Sequence, residues 1–302
     1  PVNKIRLFEH GAPGSQNLKL TRKYYTEDMP DGRVKHIVQN ITDPDIVPYI
    51  PDGIGNSTDR QRIPAVLIIP GGAFRRLVYN FEGEDVAKWL NSMGIAAFVL
   101  ECRLPSDEHD NAEDVPLIDA MRAMRVIRGR AQEFGIDEAK IGVMGFSAGG
   151  FMAALLSTAY ESDVYADYKY KDEYDKLSAR PDFAVCSYPV ISIDDCIEAG
   201  KRYMSEEQVL ERISDSKAKI LHKYNPDKLV RPDMPPVFIC ETDDDRTTLS
   251  ENSVGFYMAA RKAGVSAELH IFRTGGHGYG CGDDFAQTGE WKVLFTKWIK
   301  SI

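Results

Sequence analysis

Five residues, Gly145-Phe146-Ser147-Ala148-Gly149, carry the clearest chemistry in the sequence. They follow the apolar run Lys140 to Gly145 and open an Ala- and Gly-rich stretch, so a buried strand is expected to turn sharply into a helix at the serine. So tight a turn strains the serine backbone and leaves no room for a Cβ on either side, which accounts for the two flanking glycines. It would lift the Ser147 hydroxyl clear of a sheet and set it at a helix N-terminus as a nucleophile. Five residues with two glycines recur by chance; the strand before and the helix after give the motif its weight.

A serine hydroxyl attacks only with help from a base, an orienter for that base and donors for the oxyanion that forms. The base expected here is His277, in Gly275-Gly276-His277-Gly278-Tyr279-Gly280 after the final apolar run. Four glycines around one histidine suit the presentation of an imidazole better than packing. His270 lies inside a predicted strand, whereas His10, His36, His109 and His222 occupy polar or amphipathic stretches. The orienting acid is expected after the strand Val237 to Cys240, giving the chain order Ser, Asp, His. That loop reads Glu241-Thr242-Asp243-Asp244-Asp245-Arg246, and like-charge repulsion argues that two of the three aspartates are solvated. Asp245, just before the polar turn Arg246-Thr247-Thr248, is the choice, with Asp244 in reserve and Asp243 read as a surface turn. The donors are expected from Pro70-Gly71-Gly72-Ala73-Phe74: the N–H of Gly72 or Ala73, together with that of Ala148, would bracket a carbonyl oxygen. In such a site Ser147 attacks an acyl carbonyl and His277 takes its proton, then returns it to the leaving alcohol, while Asp245 holds the imidazole tautomer.

These residues need a scaffold, and the pattern of short apolar runs supplies one. Runs at Ala65 to Pro70, Ile95 to Leu100, Ile141 to Met144, Phe183 to Tyr188, Val237 to Cys240 and Ala267 to Phe272 read as strands buried on both faces. Helical patterns lie between them at Glu82 to Met93, Val115 to Phe134, Ala148 to Tyr160 and Glu251 to Ala263, with a last one at Glu290 to Ile299. In the last, Trp291, Leu294, Phe295 and Trp298 form one core-facing stripe. The alternation predicts a doubly wound, mostly parallel α/β sheet of about eight strands, with helices on both faces and ligands at the carboxyl ends of the strands. Residues 1–302 read as one domain, with extended N-terminal strands over residues 1–60. Two segments break the rhythm, 161–180 (rich in Tyr, Asp and Lys) and 192–235, and both are expected as excursions that form a small cap or rim, with a solvated surface loop as the alternative for the first.

The 302 residues, 43% hydrophobic, suffice for a large core. A net charge of −9 argues against nucleic acid or an anionic membrane as partner. No apolar run approaches the ~20 residues needed to span a bilayer. The five cysteines, Cys102, Cys186, Cys196, Cys240 and Cys281, are widely spaced without a metal-like pairing and read as structural.

With these residues placed, the chain resembles the α/β-hydrolases and, more narrowly, the acetylxylan esterase and feruloyl-esterase-like group of carbohydrate esterases. The resemblance runs through Gly11-Ala-Pro-Gly14, Pro70-Gly-Gly-Ala-Phe74, Glu82-Gly-Glu-Asp-Val-Ala-Lys-Trp-Leu90, Gly145-Phe-Ser-Ala-Gly-Gly150, Arg180-Pro-Asp-Phe183, Tyr188-Pro-Val-Ile-Ser192, Glu251-Asn-Ser253 and Gly276-His-Gly278. It implies an α/β-hydrolase fold and hydrolysis of short acyl esters, above all acetyl groups on plant polysaccharides, without cofactor or metal. Carried over, it supports Ser147, Asp245 and His277, with Gly72, Ala73 and Ala148 as oxyanion donors. The expected partner is a small acyl ester or an acetylated saccharide, and the resemblance tilts localisation toward the periplasm or the cell exterior.

The chain also departs from that group. The usual third glycine of the oxyanion loop is Ala73, a change tolerable at a φ below zero, and the usual His-Gly opening of the acid loop is Glu241-Thr242. Two other functions compete: a serine peptidase of the same fold, weakened by the lack of a long N-terminal gating region, and a ligand-binding receptor on a hydrolase scaffold. Such receptors lack the histidine that His277 supplies here.

Overall fold

The computed structural model describes residues 4–54, 62–202, 204–205, 207–209, 211, 218–282 and 287–302. Its strands are β1 (Ile5–Arg6), β2 (Lys23–Asp28), β3 (Val34–Gln39), β4 (Asp45–Tyr49), β5 (Ile63–Ile69), β6 (Leu77–Val78), β7 (Ala96–Glu101), β8 (Ile136–Phe146), β9 (Ala184–Ser187), β10 (Val237–Thr242) and β11 (Ala267–Phe272). An eight-stranded sheet has the order β1-β4-β7-β5-β8-β9-β10-β11. Its neighbours are parallel from β7 to β11, whereas β4 and β1 add antiparallel at one edge. The fold is that of an α/β-hydrolase.

The α-helices are α1 (Asp85–Ser92), α2 (Val115–Gly129), α3 (Ala131–Phe134), α4 (Ala148–Ala159), α5 (Ile193–Lys201), α6 (Ala218–Lys223), α7 (Ser250–Lys262) and α8 (Glu290–Trp298). On one face of the sheet, α1 and α8 bury Val86, Leu90, Trp291, Phe295 and Trp298. On the other, α2, α4 and α7 bury Ile118, Met121, Phe151, Leu155 and Phe256. Both faces of the central strands are therefore apolar, which is why they read as continuous runs rather than alternating ones. Trp291 is fully buried and meets Trp89 edge-on at 4.9 Å, so the aromatic stripe of α8 is packing.

The chain leaves β5 for β7 on one side and then returns to place β8 on the other. The crevice outside the carboxyl ends of β5 and β8 is the topological switch point, where open α/β sheets bind ligands. Pro70 to Phe74 leave β5 there, and Ser147 leaves β8 beside them.

Several boundaries differ from the sequence reading. The helix expected at Glu82 begins with a π-helical turn, Asn80–Glu84, before α1. The helix expected over Val115 to Phe134 breaks at Arg130, whose backbone (φ −104°, ψ 16°) has left the helical region. In the N-terminal region, β2 and β3 pair with β6 in a separate three-stranded antiparallel sheet. The sequence of β2, KYYTED, is mostly exposed and has no apolar run to announce it.

Of the two readings of segment 161–180, the surface loop fits its placement better than a rim over the active-site edge. It joins the far end of α4 to the start of β9 and packs on the flank of α2. Arg122 binds Asp172 at 2.5 Å and Asp175 at 3.0 Å, and the Arg125 and Arg128 guanidiniums hold the Tyr165 hydroxyl and the Ser178 carbonyl. The segment thus lies toward the amino ends of the parallel strands, opposite Ser147. The second excursion starts at the carboxyl end of β9, where Asn252 Oδ1 accepts from the N–H groups of Ile191 and Ser192. Lys223, at the end of α6, pairs with Asp114 beside the start of α2. Parts of 1–60 and 192–235 lie outside the described residues. Among those described, no helix is long and apolar enough to cross a membrane.

One buried ion pair fixes the exit of β7. Arg103 and Asp119 are both fully buried, with Nη2 and Oδ1 2.7 Å apart, and Asp119 Oδ2 also accepts the Arg103 N–H at 2.8 Å. Arg103 Nη1 reaches on to the Ser15 hydroxyl and the Pro13 carbonyl, tying the N-terminal segment to the sheet. Removing one partner of such a pair strands a buried charge. Asp119→Ala is expected to destabilise the fold by about 3–5 kcal/mol, measured as a lower urea midpoint at unchanged m-value.

Candidate active site

Ser147 sits between β8 and α4 with φ 54° and ψ −118°, a strained combination for any residue but glycine. The flanking glycines are required by close approach. A Cβ on Gly145 would lie 1.9 Å from the Gly149 carbonyl oxygen, and one on Gly149 would lie 1.9 Å from that of Ile69. The turn brings α4 against the end of β5, where the next loop begins.

The structure brings the three candidate side chains together. Ser147 Oγ is 2.9 Å from His277 Nε2, and His277 Nδ1 is 2.6 Å from Asp245 Oδ2. Asp245 is 3% exposed, whereas Asp243 and Asp244 are exposed, as repulsion among three carboxylates requires. Asp244 does not face the imidazole; its Oδ1 accepts the Gly276 N–H at 2.8 Å and so braces the histidine loop. His270 lies on β11, bonded to Glu268 at 2.7 Å.

Asp245 is fixed by its own turn. Its Oδ1 accepts from the N–H groups of Thr247 (2.7 Å) and Thr248 (2.9 Å), so the aspartate closes the turn that aims it. Burial alone would raise its carboxyl, but the hydrogen bond and charge of His277, with the Thr248 and Thr247 N–H groups, hold it below the usual carboxylate range.

The residues expected to donate to an oxyanion border the same crevice. Ala148 is the first residue of α4, so its N–H has no intrahelical acceptor. Gly72 has φ 137°, and a Cβ there would strike the Arg76 carbonyl oxygen at 2.1 Å. Ala73 does not meet the condition of a φ below zero: it stands at φ 57°, followed by Phe74 at 59°. Two non-glycine residues in the left-handed region cost about 1–2 kcal/mol each, so the loop is held by its surroundings rather than by local preference.

Sequence reasoning missed four residues that shape the site. Thr248 Oγ1 donates to Asp245 Oδ2 (3.0 Å) or to the Tyr188 carbonyl (3.2 Å) and lies 3.2 Å from His277 Nδ1. Glu82 and Tyr188 are buried beneath Gly71 and His277, and only long-range packing brings them there. Glu241 is fully buried at the end of β10, where burial and then the negative charge of Asp245 push its carboxyl well up. It accepts from the Thr242 N–H at 2.9 Å and the Ser253 hydroxyl at 3.3 Å. Among the described residues, no group of three or more His, Cys, Asp or Glu converges as metal ligands do.

This geometry can be set against known proteins. Residues 54–259 match the family described as BD-FAE. An acetylxylan esterase from Xylanibacter ruminicola is 31% identical over 240 residues, covering 79% of this chain and 45% of that protein. The chain belongs to the BD-FAE family. An endo-1,4-beta-xylanase B from Butyrivibrio fibrisolvens is 31% identical over 75% of this chain and 34% of its own length. The chain spans less than half the length of either curated relative. Among solved structures, an acetyl ester-xyloside bifunctional hydrolase from Caldicellulosiruptor lactoaceticus is 35% identical, with a TM-score of 0.72 over 99% of this chain and 96% of that one. The carboxylesterase Cest-2923 from Lactobacillus plantarum, 20% identical with a TM-score of 0.69 over 93% of this chain and 98% of that one, shares the fold. The chain is thus an α/β-hydrolase of the BD-FAE family, similar to proteins named as esterases.

Two predictions separate the neighbouring aspartates. Asp245→Asn leaves the shape intact but favours the wrong imidazole tautomer, so ester turnover should fall by about 10⁴-fold. Asp244→Asn keeps an acceptor for Gly276 N–H and should cost less than about tenfold; kcat on p-nitrophenyl acetate decides between them. The depressed carboxyl also has a signature in stability. Because its folded value lies below the unfolded one, the contact stabilises above about pH 4 and is lost as pH falls through the folded value. The gap in Tm between the native protein and Asp245→Asn should therefore narrow below about pH 4 in melts run from pH 7 to pH 3.

Proposed function

We propose that the chain is a serine carboxylesterase that removes short acyl groups, acetyl first among them, from a carbohydrate such as xylan. The observation that carries this reading is the unbroken hydrogen-bonded chain from Ser147 Oγ through His277 to Asp245 Oδ2. A receptor built on a hydrolase scaffold has no need of it.

In the proposed mechanism the acyl carbonyl lies over Ser147 with its oxygen toward the N–H groups of Ala148 and of Gly72 or Ala73. As Ser147 Oγ bonds to the carbonyl carbon, His277 Nε2 takes the hydroxyl proton and the carbonyl electrons move onto the oxygen. Asp245 stabilises the imidazolium without itself being protonated. The tetrahedral intermediate collapses as His277 gives the proton to the leaving sugar oxygen, which releases the alcohol and leaves an acyl-serine. Water then repeats the sequence, with His277 again as base, and frees the acid. Loss of one oxyanion donor typically costs ~10²–10³ in kcat, so the strained loop at Gly72 and Ala73 matters nearly as much as the base.

The substrate class rests on kinship. The names of three relatives speak of acetylxylan, xylanase and acetyl ester-xyloside chemistry, and the similarity to the third spans nearly the whole chain. The test is acetate release from acetylated xylan and xylo-oligosaccharides by the native protein and by Ser147→Ala. Serine-dependent release, lost by about 10⁴-fold or more in the variant, is the expected result. Cleavage of p-nitrophenyl acetate alone would leave the catalytic assignment standing and sink the carbohydrate one, and rates rising from acetyl to longer acyl esters would sink the preference for acetyl.

A further inference from the structure

Glu82 is a carboxylate with no role in the mechanism above, yet it is 4% exposed and lies directly under the reaction centre. It projects from the π-helical turn Asn80–Glu84. One oxygen, Oε2, accepts the Gly71 N–H at 2.8 Å. The other, Oε1, accepts the Tyr188 hydroxyl at 2.9 Å. Both contacts are donations to the carboxylate, the bonding of an ionised group. Burial pushes its carboxyl up, while the charge of His277, the Tyr188 hydroxyl and the Gly71 N–H act the other way. An acid is kept in a buried place where only specific partners make it tolerable.

Those partners belong to the two loops that must act together. Gly71 opens the oxyanion loop, and its carbonyl accepts the Val78 N–H at 2.9 Å, so its peptide units are pinned on both sides. Gly72 and Ala73 follow at φ 137° and 57°, conformations that need such a clamp. Tyr188 is fully buried and its ring stands edge-on to the His277 ring, with centroids 5.0 Å apart. Its hydroxyl, while donating to Glu82, accepts the Gly280 N–H at 3.0 Å from the loop that carries His277. Its carbonyl is 3.2 Å from the Thr248 hydroxyl, which also lies beside Asp245 and His277.

We propose that Glu82 is a positioning residue whose carboxylate holds the oxyanion loop, through Gly71, in register with the histidine loop, through Tyr188 and Gly280. The proposal rests on the reading of Ser147, His277 and the Gly72–Ala73 loop as the reaction centre. In the transition state the oxyanion must meet its donors while the imidazole is still within reach of Ser147. A shift of one loop relative to the other costs stabilisation of that state, and substrate binding alone does not demand the same alignment. The loss therefore falls on kcat.

The test is a double-mutant cycle of Glu82→Gln and Tyr188→Phe on p-nitrophenyl acetate, with competent sites counted by the burst of p-nitrophenol from a p-nitrophenyl phosphonate. Each single variant should lose about 10- to 100-fold in kcat per competent site, short of the loss of a whole oxyanion donor, with KM within about twofold. The double variant should lose little more than the worse single one, because both changes break the same link. Unchanged kcat per competent site, losses that multiply as independent effects, or a defect confined to KM would overturn the proposal. If Glu82→Gln does not fold, Tyr188→Phe decides alone, since it keeps the carboxylate and its bond to Gly71 and removes only the bridge to Gly280. Ser147→Ala run alongside keeps the two readings apart. Native activity that survives Ser147→Ala defeats the reaction centre itself, whereas a dead Ser147→Ala beside an unimpaired Tyr188→Phe defeats only the role of Glu82.

Discussion

The backbone of Ser147, held at φ 54° and ψ −118°, is the constraint around which the molecule is arranged. A serine does not adopt that conformation by preference, so the surroundings must enforce it. The enforcement is visible on each side. Tyr188 is anchored by its N–H on the Cys240 carbonyl at 2.7 Å, and the Ser147 N–H donates to the Ser187 carbonyl at 3.0 Å, locking β8, β9 and β10 at their carboxyl ends. Helix α4 then starts so close to β5 that only glycine fits at 145 and 149, and nearly all of it is buried. The core does more than stabilise: a buried helix cannot relax away from the turn, so packing energy maintains the strain that turns the hydroxyl toward His277.

The polar interior follows from the same need. Burying a carboxylate is costly unless it is bonded, and each one near the crevice has partners that come from other elements. Asp119 meets Arg103, Asp245 meets His277 and the turn at Thr247 and Thr248, and Glu82 meets Gly71 and Tyr188. Glu241 differs, because burial and the neighbouring Asp245 both favour its neutral form.

What the sequence disclosed divides along physical lines. The flanking glycines of Ser147, the aspartate before a polar turn and the histidine among glycines are local requirements, and local requirements leave a mark in neighbouring residues. The central strands were equally readable because burial on both faces makes them continuously apolar. By contrast, β2 is an exposed polar strand with nothing to announce it. The placement of 161–180 is not legible locally, because its acidic residues answer to arginines on α2 some fifty positions earlier. Tyr188 and Glu82 stand 106 positions apart, and no spacing rule connects them.

The π-helical turn at Asn80–Glu84 shows how an irregular element can serve the site. Such turns are rare and tend to occur at functional sites, since the extra residue in the turn re-aims a side chain at the expense of regular hydrogen bonding. Here the turn lies between β6, which follows the Gly71–Phe74 loop, and α1, which packs on the sheet. A regular helical start would place residue 82 on a different bearing from α1. The wider turn directs it inward beneath Gly71, while Val86 and Leu90 keep their places in the core. The local irregularity that blurs the start of the helix is thus where one buried carboxylate reaches both Gly71 and Tyr188.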